Sequence, residues 1–232
     1  MTLKRVTALI LAVVMILGLS SAFAESSFIW PGEYVNFGHY EQDGNKGNGD
    51  EPIRWVVLDV DFTNGSIFLL SEKALEKIPF NSTSNGAAWG DSSLRKWLND
   101  DFIQAAFTDE EAAAIQVTQV EDTLEQSYAD ANTSNRFSGV TEDKVFCISY
   151  YELLTKVGGQ YAFCEPTVAL SKKNVKLEKV DGVNYCWWWL RTSAFKNNAL
   201  CMAGSGFTSA YEHFDQGAVR PALWVKTSAV TK

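Results

Sequence analysis

The alternation of hydrophobic and polar residues in the first third of the chain predicts β-strands. Residues 32–40 and 53–60 are rich in β-branched and aromatic side chains, as strands with a buried face are. Asn64-Gly65 follows the second run, and this dipeptide favours the positive φ angles of a tight hairpin turn. Residues 66–71 are again apolar, so the sequence predicts a β-hairpin here.

A three- and four-residue spacing of apolar residues takes over in the middle of the chain. This spacing predicts an amphipathic helix that begins near Asp91 or Ser92. The predicted apolar face comprises Leu94, Trp97, Leu98, Phe102 and Ala105.

Two capping boxes mark the starts of further helices. Thr108 precedes Glu111 by three residues, and Ser149 precedes Glu152 by the same spacing. In each pair the hydroxyl can cap a helix whose glutamate bonds back to the cap residue. The polar stretch 122–140 lies between the two boxes and predicts an excursion over the surface.

The C-terminal third returns to strand patterns. Residues 185–192, Tyr-Cys-Trp-Trp-Trp-Leu-Arg-Thr, predict a strand that is buried on both faces. Residues 217–225 predict its partner, with Pro221 at a bulge or an edge. Strands first, helices in the middle and strands last predict an α+β fold with two or three helices in the middle of the chain.

Residues 1–24 have the three-part pattern of a secretory signal peptide. Lys4-Arg5 is basic, residues 6–19 are apolar, and a small-residue cleavage site ends at Ala24. The apolar run is shorter than the ~20 residues of a spanning helix, and a retained N-terminal anchor is the alternative. We therefore expect a mature protein that is secreted or held at the cell surface, with no membrane contact after cleavage.

Composition predicts one domain over residues 25–232. No Pro/Ser/Gly linker and no internal repeat divides this range, and 46% hydrophobic residues suffice for a sizeable core. The formal charge is −8, and it becomes −10 without Lys4 and Arg5. This acidity argues against nucleic acid, whose binding requires neutralised phosphates, and against adsorption to anionic lipid.

Four cysteines, at positions 147, 164, 186 and 201, bear on redox state and metal binding. An even number in an exported chain permits two disulfides with three connectivities. Cys186 with Cys201 is the first expected pair, because these residues flank neighbouring strand candidates. Buried free thiols are the alternative. The spacing fits no zinc motif, and we expect neither a metal nor a cofactor.

The faces of the tryptophan strand admit two interpretations. Strand alternation puts Trp187 and Trp189 on one face and Trp188 on the other. Both faces can belong to the core. Alternatively, one face forms a stacking platform for a sugar or a peptide, together with Tyr185 or Tyr211.

The candidate binding site is built around this platform. Arg191 ends the tryptophan run and is either a buried ion-pair partner or a hydrogen-bond donor to a ligand. His213 lies in a loop that is rich in carboxylate and aromatic groups. The candidate binding residues are Trp188, Trp189, Arg191, Tyr211 and His213.

Five segments run in order over nearly the whole mature chain and together resemble a known family. They are Gly-Glu-Tyr-Val-Asn-Phe-Gly (32–38), Glu-Pro-Ile-Arg-Trp-Val-Val-Leu-Asp (51–59), Ser-Ser-Leu-Arg-Lys-Trp-Leu-Asn (92–99), Trp-Trp-Leu-Arg-Thr-Ser (188–193) and Val-Arg-Pro-Ala-Leu-Trp-Val (219–225). The resemblance is to DUF6273, an uncharacterised domain that is common in exported proteins of Gram-positive gut bacteria. The family name implies no activity.

The closing pattern is also similar to C-type-lectin-like folds, including the sulfatase-modifying type. It consists of a Trp-Trp strand, a Gly-containing hairpin and a final Val-Arg-Pro strand. This resemblance implies twisted antiparallel sheets that bind carbohydrate or protein ligands through loops. The calcium-dependent lectin signature Glu-Pro-Asn is not matched, because Glu51-Pro52 is followed by Ile53.

The leading functional hypothesis is an exported, non-catalytic module that recognises carbohydrate or cell-wall glycan at the cell surface. Neither His39 nor His213 lies in a nucleophile-elbow context, and the chain has no Gly-x-Ser-x-Gly motif. The first alternative is a surface protein–protein interaction module. The second is a sulfatase-modifying type of enzyme that would use Cys186 and Cys201.

Overall fold

Two five-stranded sheets organise the fold. A computed structural model gives the structure and describes residues 28–83, 85–123, 137–194, 198–212 and 215–232. Within these ranges the protein is mixed α+β, which confirms the predicted class. None of the helices there is both long and apolar enough to cross a membrane. The predicted signal peptide, residues 1–24, lies outside the described ranges and stays a prediction.

The strands are numbered in chain order. They are β1 (Tyr34–Tyr40), β2 (Glu51–Asp61), β3 (Ser66–Ser71), β4 (Glu76–Pro79), β5 (Thr118–Asp122), β6 (Gly139–Asp143), β7 (Val145–Phe146), β8 (Leu177–Val180), β9 (Val183–Cys186), β10 (Trp188–Ser193), β11 (Asn198–Met202), β12 (Thr208–Glu212), β13 (Gln216–Val219) and β14 (Ala222–Lys226).

The helices are short and lie mainly in the middle of the chain, as predicted, but the described residues hold more than two or three. They are α1 (Ser93–Trp97), α2 (Ile103–Ala106), α3 (Asp109–Ala114), α4 (Tyr150–Lys156), α5 (Gly159–Ala162) and α6 (Val168–Ser171). One π turn (Leu98–Phe102) joins α1 to α2, and 3₁₀ turns cover Trp89–Asp91 and Thr227–Ala229.

The first sheet has the order β1-β2-β3-β14-β7, and every neighbouring pair is antiparallel. The predicted hairpin is confirmed, because β2 and β3 pair across a turn in which Gly65 has a φ of 62°. The β3 strand is buried along its whole length. This sheet supplies one half of the core.

The second sheet has the order β12-β11-β10-β13-β4 and contains the tryptophan run. The predicted single strand over residues 185–192 divides at Trp187. Before it, β9 pairs with β8, whereas β10 begins at Trp188 and pairs with β11. The predicted contact between the two C-terminal strands is confirmed, since Trp188 pairs with Ala218 of β13, in parallel.

The chain passes between the two sheets at Arg220-Pro221. Residues before this dipeptide belong to β13 in the second sheet, and residues after it belong to β14 in the first. Pro221 is therefore at a change of sheet rather than at a bulge or edge, and the break tolerates a residue without an N–H. The Ser71 N–H donates to the Pro221 carbonyl over 2.9 Å, which ties the return of β3 to this crossing.

The amphipathic helix starts where predicted but changes register. Ser92 caps it by accepting a hydrogen bond from the Arg95 N–H. Leu94 and Phe102 are fully buried, but the buried residue of the last turn is Ala106 and not Ala105, which is exposed. The π turn closes hydrogen bonds over one residue more than an α-helical turn does. The residues after it are therefore shifted by one position relative to the predicted apolar face.

Both predicted capping boxes are confirmed, at Thr108–Glu111 and at Ser149–Glu152. The polar excursion between them begins and ends in the antiparallel pair β5–β6. The middle of the excursion, residues 124–136, lies outside the described residues.

Candidate functional site

The three adjacent tryptophans are core residues. Trp188 and Trp189 have no exposed surface, and Trp187 is 6% exposed. The indole N–H of Trp189 donates to the Ile78 carbonyl (2.9 Å), and that of Trp188 donates to the Ala162 carbonyl (3.0 Å). The structure thus supports the core interpretation of these residues. Trp188 and Trp189 offer a ligand neither a free ring face nor a free donor.

Arg191 is also buried, at 2% exposure. It forms an ion pair with Glu152 and donates to the carbonyls of Cys147 (3.0 Å) and Glu121 (2.9 Å). Glu152 belongs to the capping box of α4. Arg191 therefore joins the second sheet to a helix start, and its donors are used inside the protein.

Of the two remaining predicted binding residues, Tyr211 lies within the described ranges and His213 does not. Tyr211 is half-buried and packs on Trp187, with ring centroids 4.4 Å apart at 30°. Trp187 in turn meets Trp189 edge to face at 4.8 Å. His213 lies outside the described residues, so its role stays a prediction.

A separate surface cleft of about 170 Å³ collects aromatic and polar side chains. It lies between the first sheet, helix α5 and strand β9. Four of its lining residues are aromatic, and all four are partly exposed. The lining residues are Tyr34, Val56, Glu72, Lys73, Gln160, Tyr161, Phe163, Glu165, Tyr185 and Arg220.

Short contacts fix the positions of three aromatic residues of this cleft. Phe163 and Tyr185 contact each other with ring centroids 5.0 Å apart. The Tyr161 hydroxyl donates to the Gly32 carbonyl over 3.4 Å, which links α5 to the chain just before Tyr34. Rings in such positions can hold an apolar ligand face while their hydroxyl groups still reach water or ligand.

Arg220 forms the buried floor of the cleft. Its guanidinium donates to the carbonyls of Ser71 (2.7 Å), Glu72 (3.4 Å) and Tyr161. Trp188 lies behind it, with the Arg220 Cζ 5.0 Å from the ring centroid. A cation over an aromatic face is stabilised electrostatically. Carbonyl and ring contacts thus hold Arg220 in place, and Trp188 supports the cleft through its contact with Arg220.

Charges of both signs line the rim. Arg54 lies over the Tyr34 ring, 4.0 Å from its centroid, and forms an ion pair with Glu72 (2.7 Å). Burial, with smaller contributions from Tyr161 and Glu72, raises the pKa of Tyr34. The Tyr34 hydroxyl therefore stays protonated at neutral pH and remains a hydrogen-bond donor.

The Gly-rich turn between β11 and β12 packs against the aromatic end of the cleft. A Cβ on Gly204 would lie 2.6 Å from the Tyr185 carbonyl oxygen, and one on Gly206 would lie 2.6 Å from the Phe163 ring. Gly206 also has a φ of +83°. Only glycine permits this approach, so the turn fixes the positions of Phe163 and Tyr185.

A family model described as a domain of unknown function, DUF6273, matches residues 64–227. This range is more than two thirds of the chain. The protein belongs to the DUF6273 family. No curated protein and no solved structure gives a significant match.

The DUF6273 match includes most of the cleft but not all of it. Tyr185 and Arg220 lie inside the matched range, whereas Tyr34 and Val56 lie before it. Sequence reasoning named Tyr185 as a possible platform partner. It missed Tyr161 and Phe163, because neither stands in a strand pattern or in a motif segment, and only the fold brings them to β9.

One group of carboxylates in this DUF6273 protein could hold a metal ion. Ligand oxygens of Glu41, Asp43 and Glu51 lie within 4.8 Å of one another in the loop between β1 and β2. The loop already uses several of these oxygens, since Glu51 accepts from the Gln42 N–H (2.7 Å) and Glu41 from the Gly44 N–H (2.6 Å). Carboxylate oxygens suit hard cations such as Ca²⁺.

Proposed function

We propose that this DUF6273 protein is an exported, non-catalytic binding module that recognises carbohydrate, in particular cell-wall glycan, at the cell surface. The observation that carries the proposal is the cleft with four partly exposed aromatic rings around a buried arginine. The binding residues are then Tyr161, Phe163 and Tyr185, with Glu72 and Glu165 at the rim.

The chemistry of the cleft suits a sugar. Ligand sites combine aromatic walls with a few polar groups that fix orientation. A sugar ring presents C–H faces to aromatic rings and hydroxyl groups to carboxylate, amide and ammonium groups. Gln160 supplies the amide group and Lys73 the ammonium group, beside the carboxylates of Glu72 and Glu165. These groups donate and accept, as hydroxyl groups require.

The size of the cleft limits what it holds. Pockets for drug-sized molecules occupy ~300–1,000 Å³, and this cleft has about 170 Å³. It therefore suits about one sugar unit, with the rest of a glycan chain extending over the surface. Binding to one unit predicts modest affinity for a single site, and repeated units on a cell wall would raise the avidity.

We also propose that the fold is C-type-lectin-like. In support, the tryptophan strand β10, the hairpin β11–β12 around its glycine turn and the final strands on either side of Arg220-Pro221 follow one another along the chain. In this proposal the cleft is an elaboration beside the first sheet, and no calcium takes part in sugar binding.

The test is binding to an array of glycans that includes bacterial cell-wall fragments. We expect Tyr161→Ala and Tyr185→Ala each to weaken binding at least about tenfold, since each removes an aromatic wall. Tyr151→Ala is the matched control, because Tyr151 is a tyrosine that is 46% exposed and lies outside the cleft. If all three variants bind glycan as tightly as the wild-type protein, the proposal is contradicted.

An exposed aromatic cluster favours a second function, surface protein–protein interaction. Phe28, Trp30 and Phe62 are 64%, 55% and 60% exposed. The ring centroid of Trp30 lies 5.6 Å from that of Phe62 and 6.4 Å from that of Phe28. Exposed contiguous aromatic surface is typical of interaction sites. Trp30→Ser with Phe62→Ser should leave glycan binding unchanged but abolish capture of a protein partner from the cell surface.

A further inference from the structure

Two of the four cysteines are direct neighbours in space although 22 positions separate them in the chain. The Cys186 N–H donates to the Cys164 carbonyl over 2.9 Å, and the Cys186 thiol donates to the same carbonyl over 3.4 Å. Both residues are buried, at 1% and 0% exposure.

This geometry is suited to a covalent bridge. A direct backbone hydrogen bond and a thiol–carbonyl contact of 3.4 Å hold the two residues side by side, as a disulfide with its ~4.4–6.8 Å Cα separation requires. The sequence predicted a different first pair, Cys186 with Cys201. Cys201 lies in β11 opposite Trp189, and the structure places Cys164, rather than Cys201, against Cys186.

We propose that Cys164 and Cys186 are an oxidation site and form a disulfide when the protein folds in an oxidising compartment. This proposal does not depend on glycan binding. Cys147 and Cys201 stay reduced, because Cys147 is buried directly after β7 of the first sheet and Cys201 is buried in β11 of the second.

The bond forms by thiol–disulfide exchange with an external disulfide. The thiolate of one cysteine attacks that disulfide, which gives a mixed disulfide and releases one external thiol. The thiolate of the other cysteine then displaces the second external thiol. Two protein thiols are oxidised, one external disulfide is reduced to two thiols, and the two protein protons end on those thiols.

The coupling of the two thiols favours this reaction. Burial alone would raise the pKa of Cys164, but the hydrogen bond from Cys186 and the positive charge of Arg220 hold the pKa below its usual value. The hydrogen bond to Cys164, and then burial, raise the pKa of Cys186. A lowered pKa increases the fraction of Cys164 that is thiolate, and exchange starts from the thiolate.

The bridge would link the two chain segments that carry Phe163 and Tyr185. Cys164 lies between Phe163 and Glu165, and Cys186 directly follows Tyr185; these three flanking residues line the cleft. Oxidation therefore fixes the segment after α5 to strand β9.

The decisive experiment maps the disulfide in the wild-type protein. The reduced, unfolded chain is refolded in a buffer of oxidised and reduced glutathione, denatured without reductant and treated with iodoacetamide. We expect two alkylated cysteines, at 147 and 201, and one peptide pair linked through Cys164 and Cys186. Four alkylated cysteines, or a bridge between any other pair, would overturn the proposal.

Serine variants give an independent measurement. Cys186→Ser should lower the Tm of the oxidised protein by about 6–12 °C, since a bridge between residues 22 positions apart restricts the unfolded chain. Reducing agent should lower the wild-type Tm similarly and leave that of Cys186→Ser unchanged. Cys201→Ser is the control and should remain sensitive to reductant. If wild type and Cys186→Ser respond equally to reductant, the bridge is not present.

Discussion

Two buried arginines show how differently the same side chain can be satisfied. Arg191 is neutralised by the Glu152 carboxylate, whereas Arg220 meets three carbonyl groups and the face of Trp188. Buried charges are costly unless they are paired or hydrogen-bonded. The sequence left open whether Arg191 pairs inside the protein or meets a ligand, and it could not tell which partners either arginine has. Every residue has a backbone carbonyl group, so the type of residue does not show which carbonyl accepts a hydrogen bond.

Removal of the Glu152 carboxylate tests the Arg191 pair. Glu152→Ala leaves Arg191 buried and unpaired, so we expect the free energy of unfolding to fall by about 3–5 kcal/mol. Glu111→Ala is the matched control, because Glu111 completes an equivalent capping box at α3 without a buried arginine partner in its box. That change should cost about 1 kcal/mol. Denaturant unfolding at constant pH measures both, and equal losses would contradict the account.

Asp122 gives a prediction with a definite sign in pH. Burial raises the pKa of this carboxyl, against the opposing hydrogen bonds from Ser138 and Trp89. The folded state then binds the proton more tightly than the unfolded state. The stabilisation is complete below about pH 4, the ordinary aspartate value, and is lost as the pH rises through the folded pKa.

The variant Asp122→Asn removes this titration. Its unfolding free energy relative to wild type should therefore increase between about pH 3 and pH 7. Asp61→Asn provides a control of opposite sign, because the Asn64 side chain and backbone lower the pKa of Asp61. That variant should lose stability relative to wild type over the same range. A flat difference for Asp122→Asn, measured by urea unfolding at each pH, would refute the assignment.

At the scale of elements, the strand β13 approaches the tryptophan run unusually closely. A Cβ on Gly217 would lie 2.4 Å from the Trp187 ring and 2.5 Å from the Trp189 Nε1. Both rings are held by the core, so neither can move aside. The sequence predicted that these two strands meet, but not that glycine is what allows the contact.

Gly217→Ala should therefore destabilise the protein by about 1–3 kcal/mol, the usual cost of overpacking a core. Gly159→Ala is the control: Gly159 lies in helix α5, and a Cβ there would meet nothing within 4 Å. That change should be neutral or slightly stabilising, because alanine favours helix. Thermal unfolding compares them. An unchanged Tm for Gly217→Ala would show that β13 does not pack as described.

Elements with strong local signals were predicted well, and those set by tertiary contacts were not. The capping boxes and the hairpin at Gly65 depend on residues a few positions apart, and both were confirmed. The π turn was missed, and Ala105 with it, because a 3.6-residue period contains no sign of an inserted residue. The division of the tryptophan strand at Trp187 was missed because β9 and β10 have different pairing partners.

At the scale of the whole molecule, the cleft shows what a sequence without its fold conceals. Its residues come from β1, β2, the segment after β3, helix α5, strand β9 and the crossing at Arg220. Composition and patterning predicted an α+β protein with an aromatic core. They could not separate the tryptophans that fill the core from the tyrosines that line the surface, since both are aromatic.

Oxidative footprinting with and without soluble fragments of bacterial cell-wall glycan tests the central claim most directly. The account predicts that bound glycan protects Tyr161, Phe163 and Tyr185 from oxidation. Phe207, which is 76% exposed, should react equally in both samples. Unchanged oxidation of the three cleft residues, or protection confined to Phe28 and its aromatic neighbours, would contradict glycan binding in the cleft.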